Sequence, residues 1–387
     1  MGTAINLPEK HCWEKNSLDA IKNNYNFIKN SFNRPFYVVL KADGYGHGAR
    51  YLAKVYEELG AYGIAVSCYA EAMEIRNSGV KLPLLILGYT SPDKATMLSK
   101  NQISQTVHSL EYAKQLQQHS LYPIDCHLKL DTGMGRIGFD LVADKENAYN
   151  EMKQLLELPN LRFTGVFSHF AVADSFGAEE IEYTKRQIEL FDDAVEYLTR
   201  YGFDFKTIHG QNSAGILRKL GENYNTMRAG IILYGLLPDS GLAGGNLEPV
   251  MQVKTVVTHV KEIKAGQCSG YGFSYKADFP TTVATVAIGY ADGLPRHLKD
   301  KNYTMNINGV DYSLIAVCMD QCMLDVTFGD VKMGDEVVAM GGRGNQSFDN
   351  IAQLTDTINY EIPCGIQRRV PKVFVENGKV IYVENNM

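Results

Sequence analysis

The sequence predicts an α/β protein in which a (β/α)8, TIM-like barrel is followed by a mostly β C-terminal domain. Between residues 36 and 227, eight short apolar segments alternate with segments of helical period, as in a barrel of parallel strands. After Pro238 the pattern changes to short β-branched runs separated by glycine turns. At 387 residues the chain is long enough for two domains, which we expect at residues 1–240 and 241–387.

The barrel elements follow from hydrophobic periodicity. Strands are predicted at residues 36–40, 61–66, 82–87, 103–107, 124–130, 163–168, 205–208 and 225–227. Before the first strand, Leu18, Ile21, Tyr25 and Ile28 recur every three or four positions, which predicts a helix. Helices are expected at residues 17–31, 49–59, 69–76, 91–100, 109–117, 143–156, 179–201 and 214–220.

The second domain is predicted from alternating or β-branched runs. These lie at residues 248–263, 281–288, 303–307, 311–317, 324–326, 336–339 and 372–383, with one helical segment at 350–356. The glycine-rich stretch 239–246 is the expected domain boundary.

Composition excludes several classes of protein. The net charge is −6 and no basic block is present, which argues against nucleic-acid binding. No apolar run reaches the roughly 20 residues that span a bilayer, and residues 1–15 lack the apolar core of a signal peptide. Seven dispersed cysteines indicate reduced thiols, and Cys318 and Cys322 lack partners that would complete a metal site. We therefore expect a cytoplasmic protein without a structural metal.

The first predicted strand runs directly into Lys41-Ala42-Asp43-Gly44-Tyr45-Gly46-His47-Gly48. A lysine at the end of a buried strand loses solvent, which favours the neutral amine that forms a Schiff base with an aldehyde. The Tyr45 hydroxyl can bind an anion. A lysine that merely pairs with a carboxylate is the alternative, and the segment alone does not decide. The motif resembles the lysine motif of alanine racemases, which binds pyridoxal 5'-phosphate.

Two later loops carry candidate phosphate ligands. Barrels of this type bind phosphate between the loops after strands seven and eight, at the start of a short helix. Ser213 and Gly230 lie in these loops, and Ile231 follows the glycine. Taken singly, Ser213 is interpreted as a helix N-cap and Gly230 as a turn glycine. Taken together, they favour a phosphate site.

Arg228 would lie close to the nitrogen of a bound pyridoxal ring. An arginine only donates hydrogen bonds, so it would keep that nitrogen unprotonated and the ring a weaker electron sink. A salt bridge to a carboxylate at the barrel mouth is the alternative. His169, after strand six, is expected either to stack on the ring or to be an ordinary hydrogen-bonded histidine.

Three further residues suggest binding or catalysis. Arg136, in a Gly-Met-Gly-Arg turn, is suited to grip a substrate carboxylate through two hydrogen bonds. Lys129 would repel it, and from charge alone we expect Lys129 to pair with Asp131 or another acid. Tyr271 lies between two glycines of the second domain, either as a surface tyrosine or as a proton-transferring phenol next to a cation.

Nine segments in order resemble alanine racemase motifs over nearly the whole chain. They are residues 41–48, 129–138, 165–174, 209–213, 228–235, 270–272, 288–293, 318–320 and 359–361. The resemblance implies a pyridoxal 5'-phosphate enzyme that interconverts L- and D-alanine by two bases and supplies D-alanine for peptidoglycan. Lys41 would be one base and Tyr271 of the partner subunit the other, in a homodimer with shared active sites.

The resemblance also implies the remaining roles. Arg228 would face the pyridine nitrogen, with His169 on the ring. Arg136 would bind substrate, together with Met319 of the partner subunit. In the family the lysine that matches Lys129 is often carbamylated, which would turn its repulsion of Arg136 into attraction. The phosphate would be held by Tyr45, Ser213, Gly230, Ile231 and Tyr360.

Three other functions share parts of this pattern. Some racemases that act on serine carry a different residue at the position of Tyr360, so its presence favours alanine. A decarboxylase on a similar scaffold needs a protonated ring nitrogen, which Arg228 opposes. A non-catalytic carrier of the cofactor would be a single barrel, without the β-rich segment after Pro238.

Overall fold

The computed structural model describes residues 12–385, which form two large β-sheets. The first ten strands are β1 (Cys12–Ser17), β2 (Phe36–Val39), β3 (Gly63–Val66), β4 (Leu84–Ile86), β5 (Ile103–Val107), β6 (Ile124–Asp131), β7 (Phe139–Asp140), β8 (Leu161–Phe167), β9 (Thr207–His209) and β10 (Met227–Ala229). The later strands are β11 (Met251–Ile263), β12 (Cys268–Ser269), β13 (Tyr275–Lys276), β14 (Thr281–Val286), β15 (Thr304–Ile307), β16 (Val310–Val317), β17 (Cys322–Asp325), β18 (Glu336–Gly341), β19 (Lys372–Glu376) and β20 (Lys379–Glu384). Residues 1–11 lie outside the described residues. They belong to the segment 1–15, in which the sequence shows no apolar core of a signal peptide.

Eight parallel strands form a nearly closed barrel in the order β10-β2-β3-β4-β5-β6-β8-β9. Its two end strands are bridged by the Thr226 N–H, which donates to the Ile208 carbonyl at 3.3 Å. Strands β2, β3 and β4 are buried along their whole length, as expected where helices cover one face of a sheet and side chains fill the other. The predicted barrel with a following β-rich domain is confirmed.

The last two barrel strands begin two residues later than predicted. Residues 205–208 were expected to form the seventh strand and residues 225–227 the eighth, whereas the strands are Thr207–His209 and Met227–Ala229. Pairing of Met227 with Phe36 on β2 sets this register. His209 and Arg228 therefore lie within strands rather than after them.

Amphipathic helices pack around the barrel. They are α1 (Leu18–Phe32), α2 (Ala49–Glu58), α3 (Tyr69–Asn77), α4 (Ala95–Lys100), α5 (Leu110–His119), α6 (Lys145–Gln154), α7 (Ala178–Tyr201) and α8 (Ser213–Leu217), with α9 (Phe348–Leu354) and α10 (Glu361–Cys364) in the second half of the chain. In α7 the buried Phe191, Ala194 and Leu198 recur every three or four residues, so one face packs inward. We did not predict α10, which is only four residues long.

The second sheet has the strand order β14-β17-β16-β15-β18-β11-β1-β19-β20. It includes β1, which we did not predict as a strand. Strand β1 pairs antiparallel with β11 and parallel with β19, and it buries Cys12, Glu14 and Asn16. Two of these three buried side chains are polar, so the hydrophobic alternation that marks a strand is absent. The chain thus contributes to the second sheet before it enters the barrel.

The end of the second sheet is a hairpin. The single run predicted at residues 372–383 is divided into β19 and β20, with Asn377 and Gly378 at positive φ in the turn. Within residues 12–385, no helix is both long enough and apolar enough to cross a membrane.

Candidate active site

A cavity of about 420 Å³ opens at the carboxyl ends of the barrel strands. Nine residues selected from the sequence line it, namely Lys41, Tyr45, Lys129, Arg136, His169, Ser213, Arg228, Gly230 and Tyr360. Of the other described candidates, Ile231, Tyr271 and Met319 are not part of this lining. We missed the wall after β3 and β4, formed by Ser67, Leu87, Gly88 and Tyr89. Their position directly after barrel strands is the signal that would have indicated them.

The turn that carries Lys41 has a left-handed backbone. It spans Lys41–Tyr45 directly after β2, with φ between +53° and +64° at Ala42, Asp43, Gly44 and Tyr45. Left-handed backbone costs a residue with a Cβ roughly 1–2 kcal/mol. Contacts with the surrounding structure must therefore hold this turn, and they hold it next to the cavity.

The environment of Lys41 favours its neutral amine. Burial lowers the pKa of Lys41, and the nearby Arg136 cation lowers it further. Its Nζ lies 5.9 Å from the centre of the Tyr45 ring. No salt bridge of Lys41 is found among the described residues, and the Glu71 carboxylate offsets only part of the lowering of its pKa. A neutral amine is the nucleophilic form of lysine.

Arg228 is a buried cation surrounded by acceptors. Its guanidinium donates to the carbonyls of Ser168, His209 and Gly210 at 2.9, 2.9 and 3.1 Å. It also contacts Nδ1 of His209 at 2.6 Å and Nδ1 of His169 at 3.2 Å. Burial lowers the pKa of Arg228 to about 9, so the side chain remains charged at neutral pH. Within the described part of the chain none of its hydrogen-bond partners is a carboxylate, which contradicts the alternative of a salt bridge.

These contacts fix the histidine tautomers behind the cavity. Because Arg228 donates to Nδ1 of His209, that ring carries its proton on Nε2 and donates to Nδ1 of His127 at 2.9 Å. Burial lowers the pKa of both histidines, to about 3 for His127, and the Arg228 cation adds to the effect. We singled out neither ring from the sequence as a support for Arg228, because nothing local links them to it.

Ser213, Gly230 and Tyr45 form a small concave corner of the cavity. The Gly230 N–H donates to Ser213 Oγ at 3.1 Å. A Cβ added to Gly230 would lie only 2.6 Å from the Tyr45 hydroxyl, so the corner is open because this residue is glycine. The N-cap of α8 is Asn212, whose side chain accepts from the Gly215 N–H at 2.9 Å. The interpretation of Ser213 as the N-cap is therefore wrong, which leaves its hydroxyl facing Gly230.

Lys129 and Arg136 lie together at the cavity, without the ion pair predicted for Lys129. The Asp131 carboxylate accepts backbone N–H groups, including those of Gly133 and Arg136. Among the described residues Lys129 forms no salt bridge with it, and its Nζ donates to the Leu130 carbonyl at 2.7 Å. Burial lowers the pKa of Lys129 to about 7, despite the attraction of Asp131.

Tyr271 and Met319 are exposed at positions away from this cavity. Their exposed fractions are 78% and 53%. Tyr271 lies in a short 3-10 turn between the paired strands β12 and β13. Tyr360, by contrast, lies beside Tyr45, with ring centres 6.0 Å apart. One chain thus brings together the candidate cofactor residues other than Ile231 in one lining, whereas Tyr271 and Met319 are exposed at its surface.

Comparisons with known proteins match nearly the whole chain. Residues 17–238 match the model "Alanine racemase, N-terminal domain", and residues 250–374 match "Alanine racemase, C-terminal domain". The chain is 39% identical to the alanine racemase of Clostridium novyi, over 96% of this chain and 97% of that one. A solved alanine racemase of Clostridium difficile 630 is 35% identical, with a TM-score of 0.92 over 98% of this chain and all of that one. The alanine racemase of Bacillus anthracis with bound L-Ala-P is 33% identical, with a TM-score of 0.90 over 98% of this chain and 99% of that one.

Proposed function

The chain belongs to the alanine racemase family, and we propose that its barrel cavity interconverts L- and D-alanine with pyridoxal 5'-phosphate bound at Lys41. One observation carries the proposal: a single cavity is lined by a lysine of lowered pKa, a buried arginine and an open glycine corner. When bound, the cofactor stabilises negative charge on the Cα of an amino acid, so that the proton there can be exchanged.

The glycine corner fits the cofactor phosphate. The close approach of the Tyr45 hydroxyl to the space above Gly230 forms a cradle that any larger side chain would fill. The hydroxyls of Tyr45, Ser213 and Tyr360 can donate to phosphate oxygens, as can the backbone N–H of Ile231. These donors lie where barrels of this class bind phosphate.

Arg228 supports racemisation over decarboxylation. All of its described hydrogen-bond partners are acceptors, and its guanidinium stays charged at neutral pH. It would donate to the ring nitrogen and keep that atom unprotonated, which limits how strongly the ring withdraws electrons. His169, held through Nδ1 by Arg228, would pack on the ring.

Arg136 would bind the substrate, and a carbamylated Lys129 would support it. The exposed Arg136 guanidinium can grip the alanine carboxylate through two hydrogen bonds. A pKa of about 7 leaves Lys129 partly neutral, so its amine can add to carbon dioxide and release a proton. The resulting carbamate anion would attract Arg136 instead of repelling it.

Racemisation needs a base on each face of Cα, and Lys41 can serve only one of these faces. We therefore place Tyr271 of the partner subunit on the opposite face, with Met319 of the partner subunit at the substrate. In this homodimer, residues 1–240 together with Tyr360 would hold the cofactor, and Tyr271 and Met319 would complete the neighbouring site. The seven free cysteines support a cytoplasmic location. There the product would supply D-alanine for peptidoglycan.

The test is racemisation of L-alanine by purified protein with pyridoxal 5'-phosphate, followed by polarimetry. We expect loss of optical rotation with wild type, none with Lys41→Ala, and normal rates with Lys54→Ala, which changes an exposed lysine on α2. L-Serine is tested as a second substrate in the same assay. Protein that binds the cofactor but racemises neither amino acid would refute the activity, and faster racemisation of serine would refute the alanine preference.

A further inference from the structure

The left-handed turn Lys41–Tyr45 is held from outside the barrel by a charged residue of the second sheet. Asp43, at the second position after Lys41, uses both oxygens of its carboxylate. Oδ1 accepts the Ala49 N–H at 2.8 Å, at the start of α2, and Oδ2 lies 3.2 Å from Nζ of Lys372 on β19. Asp43 is one of the residues with positive φ. Its side chain therefore connects a strained backbone position to another sheet.

Lys372 is buried between two carboxylates. Its exposed fraction is 3%, and pairing of β1 with β19 places it in register with Glu14. The Lys372 Nζ lies 3.5 Å from Glu14 Oε1, and neither Glu14 oxygen has a hydrogen-bond partner among the described residues. Burial raises the pKa of Glu14 to about 8, which favours its neutral form. Glu384, opposite Lys372 on β20, is a third carboxylate beside it, but Asp43 forms the shortest of its ion pairs, at 3.2 Å.

The segment after the turn packs directly on β19. A Cβ on Gly48 would lie 2.8 Å from the Phe374 ring and 3.1 Å from the Lys372 side chain. Gly48 also has φ of +95°, a conformation that favours glycine. The second sheet and the Lys41 turn are thus in contact at this glycine, and Lys372 reaches Asp43 alongside it.

We propose that Asp43 and Lys372 are positioning residues that hold the Lys41 turn in its left-handed conformation, so that the second sheet sets the place of the Lys41 amine. Because the Asp43 side chain is 46% exposed, its ion pair with Lys372 adds little to the stability of the fold, and its main effect is to select one backbone conformation. Neither residue belongs to the lining of the Lys41 cavity. The inference rests on the proposed role of Lys41, but it can be tested without cofactor.

The test compares Asp43→Asn and Lys372→Met with the matched control Glu74→Gln, an exposed carboxylate on α3 near the same turn. The full chain without cofactor is treated with fluorodinitrobenzene near neutral pH, and modification of Lys41 is compared with that of Lys54 by mass spectrometry. Lys41 loses its desolvated position if the turn relaxes. We expect the Lys41 to Lys54 ratio to fall about fivefold in both variants, the upper range for a partly exposed ion pair. Lys372→Arg keeps the cation and should restore the ratio.

The sign of the effect separates positioning from simple electrostatics. The two variants change charge in opposite directions, so a field acting on the Lys41 amine would move its reactivity in opposite directions. Loss of positioning lowers the reactivity of Lys41 in both variants. The Lys41 to Lys54 ratio of the double variant should be no lower than that of Lys372→Met. The inference would be overturned if the Lys41 to Lys54 ratio moved in opposite directions in Asp43→Asn and Lys372→Met, or if both ratios equalled that of Glu74→Gln. This holds even if the two variants have lower melting temperatures. If wild type binds no pyridoxal 5'-phosphate but the labelling pattern holds, the proposed function fails and this inference stands.

Discussion

The buried histidines behind the cavity should make the fold sensitive to acid, and His127 allows the effect to be measured. Burial, with a smaller contribution from the Arg228 cation, lowers the pKa of His127 to about 3. In the unfolded chain a histidine has a pKa of about 6.5. Between these values the unfolded chain binds a proton that the folded chain does not. Stability therefore rises with pH across this window and is lost as pH falls below about 6.5.

The size of the effect follows from the two pKa values. Protonation of one unfolded histidine lowers the free energy of unfolding by about 2 kcal/mol between pH 7 and pH 5. His127→Gln removes this titration, and its side-chain oxygen can accept the proton of His209 Nε2 that His127 Nδ1 accepts at 2.9 Å. We expect the variant to be less stable than wild type at pH 7, because ring packing is lost. The difference should shrink by about 2 kcal/mol at pH 5.

The measurement is urea unfolding followed by circular dichroism across this pH range, at one protein concentration. His119→Gln, which changes an exposed histidine at the end of α5, is the control and should run parallel to wild type. If the stability of His127→Gln also runs parallel to wild type from pH 7 to pH 5, His127 is not buried in its neutral form and the reasoning is refuted.

Four other predictions concern the site. Borohydride reduction of protein that holds pyridoxal 5'-phosphate should attach the cofactor to Lys41, and mass spectrometry that finds it on another lysine contradicts the assignment. Gly230→Ala places a methyl 2.6 Å from the Tyr45 hydroxyl, so titration should show cofactor binding weakened by about 1–3 kcal/mol; unchanged binding argues against the phosphate corner. Mixing inactive Lys41→Ala and Tyr271→Phe chains should restore some activity through one hybrid site, unless each subunit works alone. In Tyr271→Phe, exchange of the α-proton with deuterated solvent should survive better from D-alanine than from L-alanine, and equal losses contradict the two-base assignment.

The sequence alone was sufficient to predict the barrel strands and the residues whose chemistry depends on their position next to those strands. The barrel followed from eight apolar segments because a buried parallel strand needs apolar residues throughout. Lys41 was identifiable because it ends the first of these segments, and its lowered pKa follows from that position. Ser213 and Gly230 could be paired in advance, because the loops after strands seven and eight are neighbours in any such barrel.

Only the tertiary structure decided how distant residues are held. Arg228 is hydrogen-bonded to carbonyls and imidazoles at the ends of β8 and β9 rather than to a carboxylate, and Lys129 does not form a salt bridge with Asp131. Strand β1 joins the second sheet although two of its three buried residues are polar, and this places Glu14 beside Lys372. Such contacts join residues far apart in the chain, and their energies depend on distances and burial that no local pattern contains. The local sequence therefore encodes the type and order of most helices and strands. The partners of each buried charge are set only when the two sheets pack against each other.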